Sequence, residues 1–271
     1  MKPKVIAPSA EIIEKTNTII ERYNINTVCF SSKCPNISEC FKRGTATFMI
    51  MGNICTRNCR FCGVSKGKPN SLDENEPLKV ANAVKELNLN YAVITSVDRD
   101  DLEDFGSEHF YKTIEKVKEM NPNTKIEALT PDFQGDIKAL ELMTNSNAYK
   151  LAHNIETVER LHKKLKPKSS YKLSLKVLEY YSKYKITKSS IILGFGESFE
   201  DLEKTFKDLI NSGVSQLTIG QYLKPSPKHY PVKKYYTDKE FDELKNLALS
   251  LGFKAVVSGR LIRSSYYADK L

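Results

Sequence analysis

Six cysteines, Cys29, Cys34, Cys40, Cys55, Cys59 and Cys62, fall within one short stretch of a 271-residue chain. They form two triplets. Cys55, Cys59 and Cys62 read C-x3-C-x2-C in CTRNCRFC; Cys29, Cys34 and Cys40 read C-x4-C-x5-C in CFSSKCPNISEC. A structural zinc site takes four ligands, commonly as two close pairs. A close triplet suits a four-iron cluster instead. Three thiolates hold it, and the fourth iron stays open to an exogenous ligand. Free or zinc-binding thiols are the rival reading of the second triplet. Zinc or a redox relay is the rival reading of the first. Each spacing closes its own loop, which disfavours pairing across triplets.

The elements that must position these thiols alternate between strand and helix. Thr45–Met51 is a β-branched, apolar run ending at Gly52, so the second triplet lies on the loop after the first long strand. Further strands are expected at Tyr91–Val97, Lys125–Thr130, Ala148–Ala152, Ser190–Leu193 and Gln216–Gly220, with helical periodicity between them. Ser198 is placed to cap a helix over 198–211. About six such alternations argue for parallel βαβ units, with chemistry at the C-terminal ends of the strands. Polar residues gather there: Thr95 to Asp98, Asp132, His153-Asn154, Glu197 and Gln221-Tyr222. Any one of these reads equally well as a cap or loop residue; the signal is their repetition.

Composition narrows the setting. Hydrophobic residues are 40% and charged residues 28% of the chain, which excludes a wholly disordered protein. No apolar run approaches a membrane span, and the start, Met1-Lys2-Pro3-Lys4, lacks a secretory stretch. A reducing cytoplasm is therefore expected, with no structural disulfides. Lys and Arg total 42 against 33 Asp and Glu, a net charge of +9. The lysines are scattered, and no nucleic-acid-reading helix, finger or aromatic strand is evident. A solvated surface or an acidic protein partner remains, and no membrane partner is expected.

The C-x3-C-x2-C triplet, with Phe61 before its last cysteine and the first strand ahead of it, resembles the radical S-adenosylmethionine superfamily. The preceding C-x4-C-x5-C triplet narrows the resemblance to the lipoyl synthases. Other strings similar to that family are TSVDRDDL (95–102), LTPDF (129–133), HNIETV (153–158), GQYLKPSPKHYPV (220–232) and RSSY (263–266). Together they cover roughly residues 25–268. Tyr267 stands where the family usually has a histidine.

The resemblance implies an α/β fold, a partial TIM-type barrel of about six β/α units. It implies an N-terminal arm (1–44) carrying auxiliary-cluster cysteines, a barrel (45–245) and a C-terminal extension (246–271). It also implies two 4Fe–4S clusters. Cys55, Cys59 and Cys62 hold the one that binds and reductively cleaves S-adenosylmethionine to a 5′-deoxyadenosyl radical. Cys29, Cys34 and Cys40 hold the other, with the Ser265 oxygen on its fourth iron and Ser264 as the fallback. Phe61, Thr95, Asp98, Asn154 and Glu197 are then expected at the S-adenosylmethionine site. The implied reaction inserts two sulfurs at the sixth and eighth carbons of an octanoyl chain. That chain is carried by the glycine-cleavage H protein or a dehydrogenase E2 lipoyl domain, and a ferredoxin or flavodoxin supplies electrons. Another radical sulfur-insertion enzyme, or a non-catalytic metal protein associated with nucleic acid, is the alternative. The Asp98 to Asp101 run also reads as a salt-bridged loop, and the lysines of KPSPKHY (224–230) as solvated or partner-binding.

Overall fold

The computed structural model describes residues 10–31, 34 and 36–271. Residues 1–9, which include the expected start of the N-terminal arm, lie outside the described residues, as do 32, 33 and 35. The chain divides into two compact units, one of residues 5–57 and 64–151, the other built on 58–63 and 152–271.

The first unit opens with helices α1 (Ala10–Tyr23), α2 (Val28–Ser31) and α3 (Ile37–Lys42), interrupted by the short strand β1 (Asn26–Thr27). Strand β2 (Thr45–Ile50) follows, with β1 antiparallel on its edge. The short pair β3 (Ile54–Cys55) and β4 (Ser65–Lys66) brackets the cysteine loop. Then come α4 (Glu76–Glu86), β5 (Tyr91–Ser96), α5 (Ser107–Met120), β6 (Lys125–Leu129), α6 (Ile137–Asn145) and β7 (Lys150–Ala152). Strands β2, β5 and β6 pair in parallel, Thr45 opposite Tyr91 and Tyr91 opposite Lys125. All six residues of β2 are buried. That explains why its sequence is a continuous run rather than an alternation: a parallel strand is covered on both faces. Helices α4 and α5 each bury one stripe, Val80, Ala81 and Val84 on the first and Phe110, Ile114 and Val117 on the second.

The second unit contains α7 (Glu159–Leu165), α8 (Tyr171–Ser182), β8 (Ile186–Leu193), α9 (Phe199–Asn211), β9 (Gln216–Gln221), α10 (Asp238–Ser250) and β10 (Ala255–Gly259). Strands β8, β9 and β10 are again parallel. Reciprocal capping boxes start α9 (Ser198 with Asp201) and α10 (Thr237 with Glu240). The core joins Leu193, Phe206, Leu217, Ile219, Phe241 and Phe253.

Among the differences from the sequence reading, two concern strands of the second unit. Strand β8 begins at Ile186, four residues before the expected Ser190. Its first half, Thr187-Lys188-Ser189, reads as loop by polarity yet is almost wholly buried. Hydrogen bonding makes that burial tolerable: the Ser189 hydroxyl donates to the His153 carbonyl at 2.9 Å. Strand β10 adds a parallel strand where only a cluster-bearing tail was expected. Its register on β9 runs from Ala255 opposite Gln216 to Gly259 opposite Gly220.

Candidate functional site

The cysteine loop leaves β2 through two left-handed residues, Met51 (φ 65°) and Gly52 (φ 89°). Such a turn needs outside support when a non-glycine residue adopts it. Here the Met51 N–H donates to Glu76 Oε2 at 2.8 Å, and His109 Nε2 meets the same oxygen at 2.6 Å. Both side chains are buried. Gly106 (φ 83°) lets the Met51 side chain lie close, because a Cβ there would stand 2.3 Å from Met51 Sδ.

Cys55 sits against the end of β5. Its thiol donates to Asp98 Oδ2 at 3.5 Å, and the Arg57 N–H points at Cys55 Sγ from 3.4 Å. Burial, reinforced by the Asp98 charge, pushes the Cys55 thiol up to about 11. Taking up a metal therefore means giving up a proton. The Thr56 N–H and hydroxyl both donate to the Asp98 carbonyl, at 3.1 and 2.9 Å. The Thr95 hydroxyl donates to the Leu129 carbonyl at 2.9 Å.

Between Cys55 and Cys59 in sequence lies a side chain with several charged partners. The Arg57 guanidinium, 4% exposed, donates to both oxygens of Asp100 (2.8–3.2 Å) and both of Asp132 (2.6 and 2.8 Å). It also pairs with Asp98 at 3.2 Å. Burial opposes its charge, but the bonds from Asp100 and Asp132 and the charge of Asp98 outweigh that and raise its pKa. Asp100 responds in the opposite sense: burial works against ionisation, yet Arg57 and Gln134 hold its carboxyl below the usual range. The Asp98 to Asp101 run is thus a salt-bridged loop, with Arg99 clasping Asp101 at 2.8 Å. Asp98 is part of it and also the thiol's partner.

In the second unit the Cys62 N–H donates to the Cys59 carbonyl at 3.3 Å, and the Arg60 N–H to Leu165 O at 2.8 Å. The Phe61 ring packs 5.8 Å from Phe195, which lies 4.4 Å from Tyr222. After β7, Asn154 donates from Nδ2 to Glu156 Oε1 at 3.1 Å. Its Oδ1 is buried with no hydrogen-bond partner in the structure. After β8, the Glu197 carboxylate accepts from the Gly194 N–H (2.6 Å), the Phe195 N–H (2.9 Å) and the Tyr236 hydroxyl (2.8 Å). It is the internal brace of the Gly194–Glu197 turn. Gly194 (φ 118°) cannot be replaced there: a Cβ would stand 2.5 Å from Gln221 Nε2 and 2.8 Å from Lys234 O.

The other triplet lies in the first unit. Cys29 is buried in α2, the Cys34 N–H donates to Cys29 O at 2.9 Å, and Cys40 lies in α3. Burial, and then the thiols' effect on one another, push Cys29 up to about 11 and Cys40 to about 12. Ser265 is half-buried in the C-terminal turns of the second unit, where its carbonyl accepts from the Ala268 N–H at 3.4 Å. The preceding segment lies against β9, since a Cβ on Gly220 would fall 2.2 Å from Ile262 O.

Residues 49–209 match the model of the Radical SAM superfamily. A lipoyl synthase of Sulfolobus acidocaldarius is 50% identical over 271 residues, covering all of this chain and 94% of its own. One of Caldicellulosiruptor saccharolyticus is 49% identical over 95% of this chain and 92% of its own. The chain belongs to the lipoyl synthase family. As a fold it is similar to methylornithine synthase (TM-score 0.57, 14% identity, 91% of this chain and 84% of the other). It is also similar to Streptococcus suis SuiB (TM-score 0.63, 12% identity, 96% and 57%). The expected α/β architecture of the radical SAM partial barrels is therefore the one observed.

Membership in the lipoyl synthases brings two 4Fe–4S clusters and S-adenosylmethionine. The donor chemistry of this chain fits them. Among the described residues, no group of three or more His, Cys, Asp or Glu side chains is arranged to hold a single metal ion. A cubane makes a different demand, one thiolate per iron, so its ligands stand apart rather than converge. Both triplets supply soft donors, and the Arg57 N–H already faces the Cys55 sulfur. No described helix is long and apolar enough to cross a membrane.

Sequence reasoning missed Arg57, the Glu76–His109 pair and the Tyr236–Glu197 brace. Only Arg57 left a signal, a basic residue between two cysteines and an acidic run after the next long strand.

Proposed function

We propose that the chain inserts sulfur at the sixth and eighth carbons of an octanoyl group on a lipoyl carrier domain. The observation that supports this is the full-length match to lipoyl synthases, which spans both cysteine triplets and RSSY together. Bound to the open iron, S-adenosylmethionine supplies a hydrogen-abstracting carbon radical through one-electron cleavage of its sulfonium. The remaining work belongs to the chain. Cys55, Cys59 and Cys62 hold the first cluster; Cys29, Cys34 and Cys40 hold the second, the sulfur source. Phe61, Thr95, Asp98, Asn154 and the turn braced by Glu197 shape the S-adenosylmethionine site. The aromatic packing of Phe61, Phe195 and Tyr222 helps close the site against oxidants that would intercept a carbon radical. The arm (1–44) and tail (246–271) supply the auxiliary cluster's ligands. The carriers are the H protein or E2 lipoyl domains, and the electron donor is a ferredoxin or flavodoxin.

The test is anaerobic incubation of the iron-loaded chain with reductant, S-adenosylmethionine and an octanoylated lysine peptide. Mass spectrometry should show the peptide gaining two sulfurs. Cleavage of S-adenosylmethionine with an unchanged peptide would point to another radical enzyme.

Ser265 carries a separate prediction. The first triplet gives three ligands, and no cysteine follows Cys62 to give a fourth. Hydroxyl oxygen is a harder ligand than thiolate, so an iron it holds is easier to open. Ser265→Ala should therefore depress sulfur insertion more than S-adenosylmethionine cleavage. Ser265→Cys should yield a cluster slower to release sulfide. Equal loss of both activities in the alanine variant would remove Ser265 from the ligand set.

A further inference from the structure

The KPSPKHY segment after β9 reads in sequence as solvated or partner-binding. In the second unit it turns back onto the cysteine loop. His229 Nε2 lies 3.0 Å from the Cys62 carbonyl, 167 residues away in sequence, and its Nδ1 lies 2.8 Å from Ser226 Oγ. A carbonyl only accepts, so the proton of the neutral ring sits on Nε2 and the Ser226 hydroxyl donates to Nδ1. Ser226 thus fixes the tautomer that can hold Cys62. Next to it, the Tyr230 N–H donates to the Arg60 carbonyl at 2.9 Å, and the Tyr222 hydroxyl donates to the Tyr230 carbonyl at 2.9 Å. Pro225 closes the contact, because a Cβ on Gly63 would stand 3.4 Å from it.

We infer that His229 is a positioning residue for the cluster ligand Cys62, held in the required tautomer by Ser226. The inference rests on the reading of Cys62 as a cluster ligand. On its own turn, the Cys62 N–H donates to Cys59 O at 3.3 Å, a long bond. Pinning its carbonyl restricts the ψ angle and hence the direction in which the sulfur projects. Groups one step removed from a metal typically change affinity or activity 10–100-fold when lost. The carbonyls of Arg60 and Cys62 are both held from one loop, so Phe61 between them is fixed as well.

Two variants of the full chain separate hydrogen bonding from packing. His229→Phe keeps a ring without a donor; His229→Gln places an amide N–H where Nε2 stands. Before iron loading, amide exchange over residues 60–63 should accelerate in His229→Phe and not in His229→Gln. After loading, iron whose paramagnetic signal responds to S-adenosylmethionine should leave to a chelator about tenfold faster in His229→Phe. In His229→Gln the rate should stay within about twofold of the parent, because the donor is retained. Ser226→Ala, which removes the hydroxyl that sets the tautomer together with the 3.4 Å bond that it accepts from the Lys228 N–H, should fall between them and serves if the phenylalanine variant does not fold. Unchanged iron release in His229→Phe overturns the inference, as does equal acceleration in both His229 variants. Retention of the S-adenosylmethionine-responsive signal in Cys62→Ala would instead overturn the ligand reading beneath it.

Discussion

Replacing Cys55, Cys59 and Cys62 together by alanine is expected to abolish S-adenosylmethionine cleavage. Replacing Cys29, Cys34 and Cys40 should leave cleavage measurable and stop sulfur insertion. The reasoning follows from the two local loops. On the proposed reading each triplet supplies three thiolates to its own cluster, and only the cluster whose fourth iron is open would bind the sulfonium substrate. The loaded parent should contain about eight irons, since a cluster of this type holds ~4, and each triple variant about four. The alanine changes themselves are small. Cys55, Cys59 and Cys62 are only partly buried, so the apolar area lost is modest and the fold should survive. Iron and sulfide content, cleavage products and peptide mass are read on the same samples. Equal loss of cleavage in both variants, with the remaining cluster intact, would sink the division of labour.

Replacing Arg57 by methionine should be the most destabilising single change in the first unit. Arg57 and Asp132 are buried to 4% and 1% side-chain exposure, and Asp98 and Asp100 lie about one-fifth exposed. Removing the cation takes the guanidinium away from three neighbouring carboxylates, Asp98, Asp100 and Asp132. Breaking a buried ion pair from one side costs about 3–5 kcal/mol, chiefly the burial of the charge left behind. Arg57→Lys should recover only part of this, because an ammonium cannot serve two carboxylates bidentately. Denaturant unfolding of the cluster-free chain measures both. The pH dependence has a definite sign. The folded Asp100 carboxyl lies below its unfolded value, so its stabilisation is complete above the unfolded pKa and is lost as pH falls through the folded one. The gap between parent and Arg57→Met should therefore narrow in acid. A variant with parental stability at neutral pH would show that water or rearrangement already compensates the three acids.

The limits of sequence reading show at particular residues. The β2 and β5 strands were legible because parallel strands covered on both faces become near-continuous apolar and β-branched runs. The start of β8 was not, because Thr187, Lys188 and Ser189 are polar residues buried through hydrogen bonds. Strand β10 was missed because AVVSG is short and ends in Ser-Gly, while the family resemblance drew attention to the RSSY beyond it. Thr95 and Asp98 were singled out by position at a strand end, where the structure places them at and just beyond the end of β5. Asp98 proved to serve Cys55 and Arg57 together.

The cluster chemistry was determined by sequence alone, for a physical reason. The cysteines of each triplet are close along the chain, so their spacing is itself a geometry, and soft thiolates in threes admit few metals. Tertiary structure decided what holds those loops still. Arg57 meets Asp132 across 75 residues, Glu76 reaches Met51 across 25, and His229 reaches Cys62 across 167. Such pairings carry no periodicity and no motif. They exist only because packing brings distant backbone together, and a buried polar group there must find a partner or destabilise the fold.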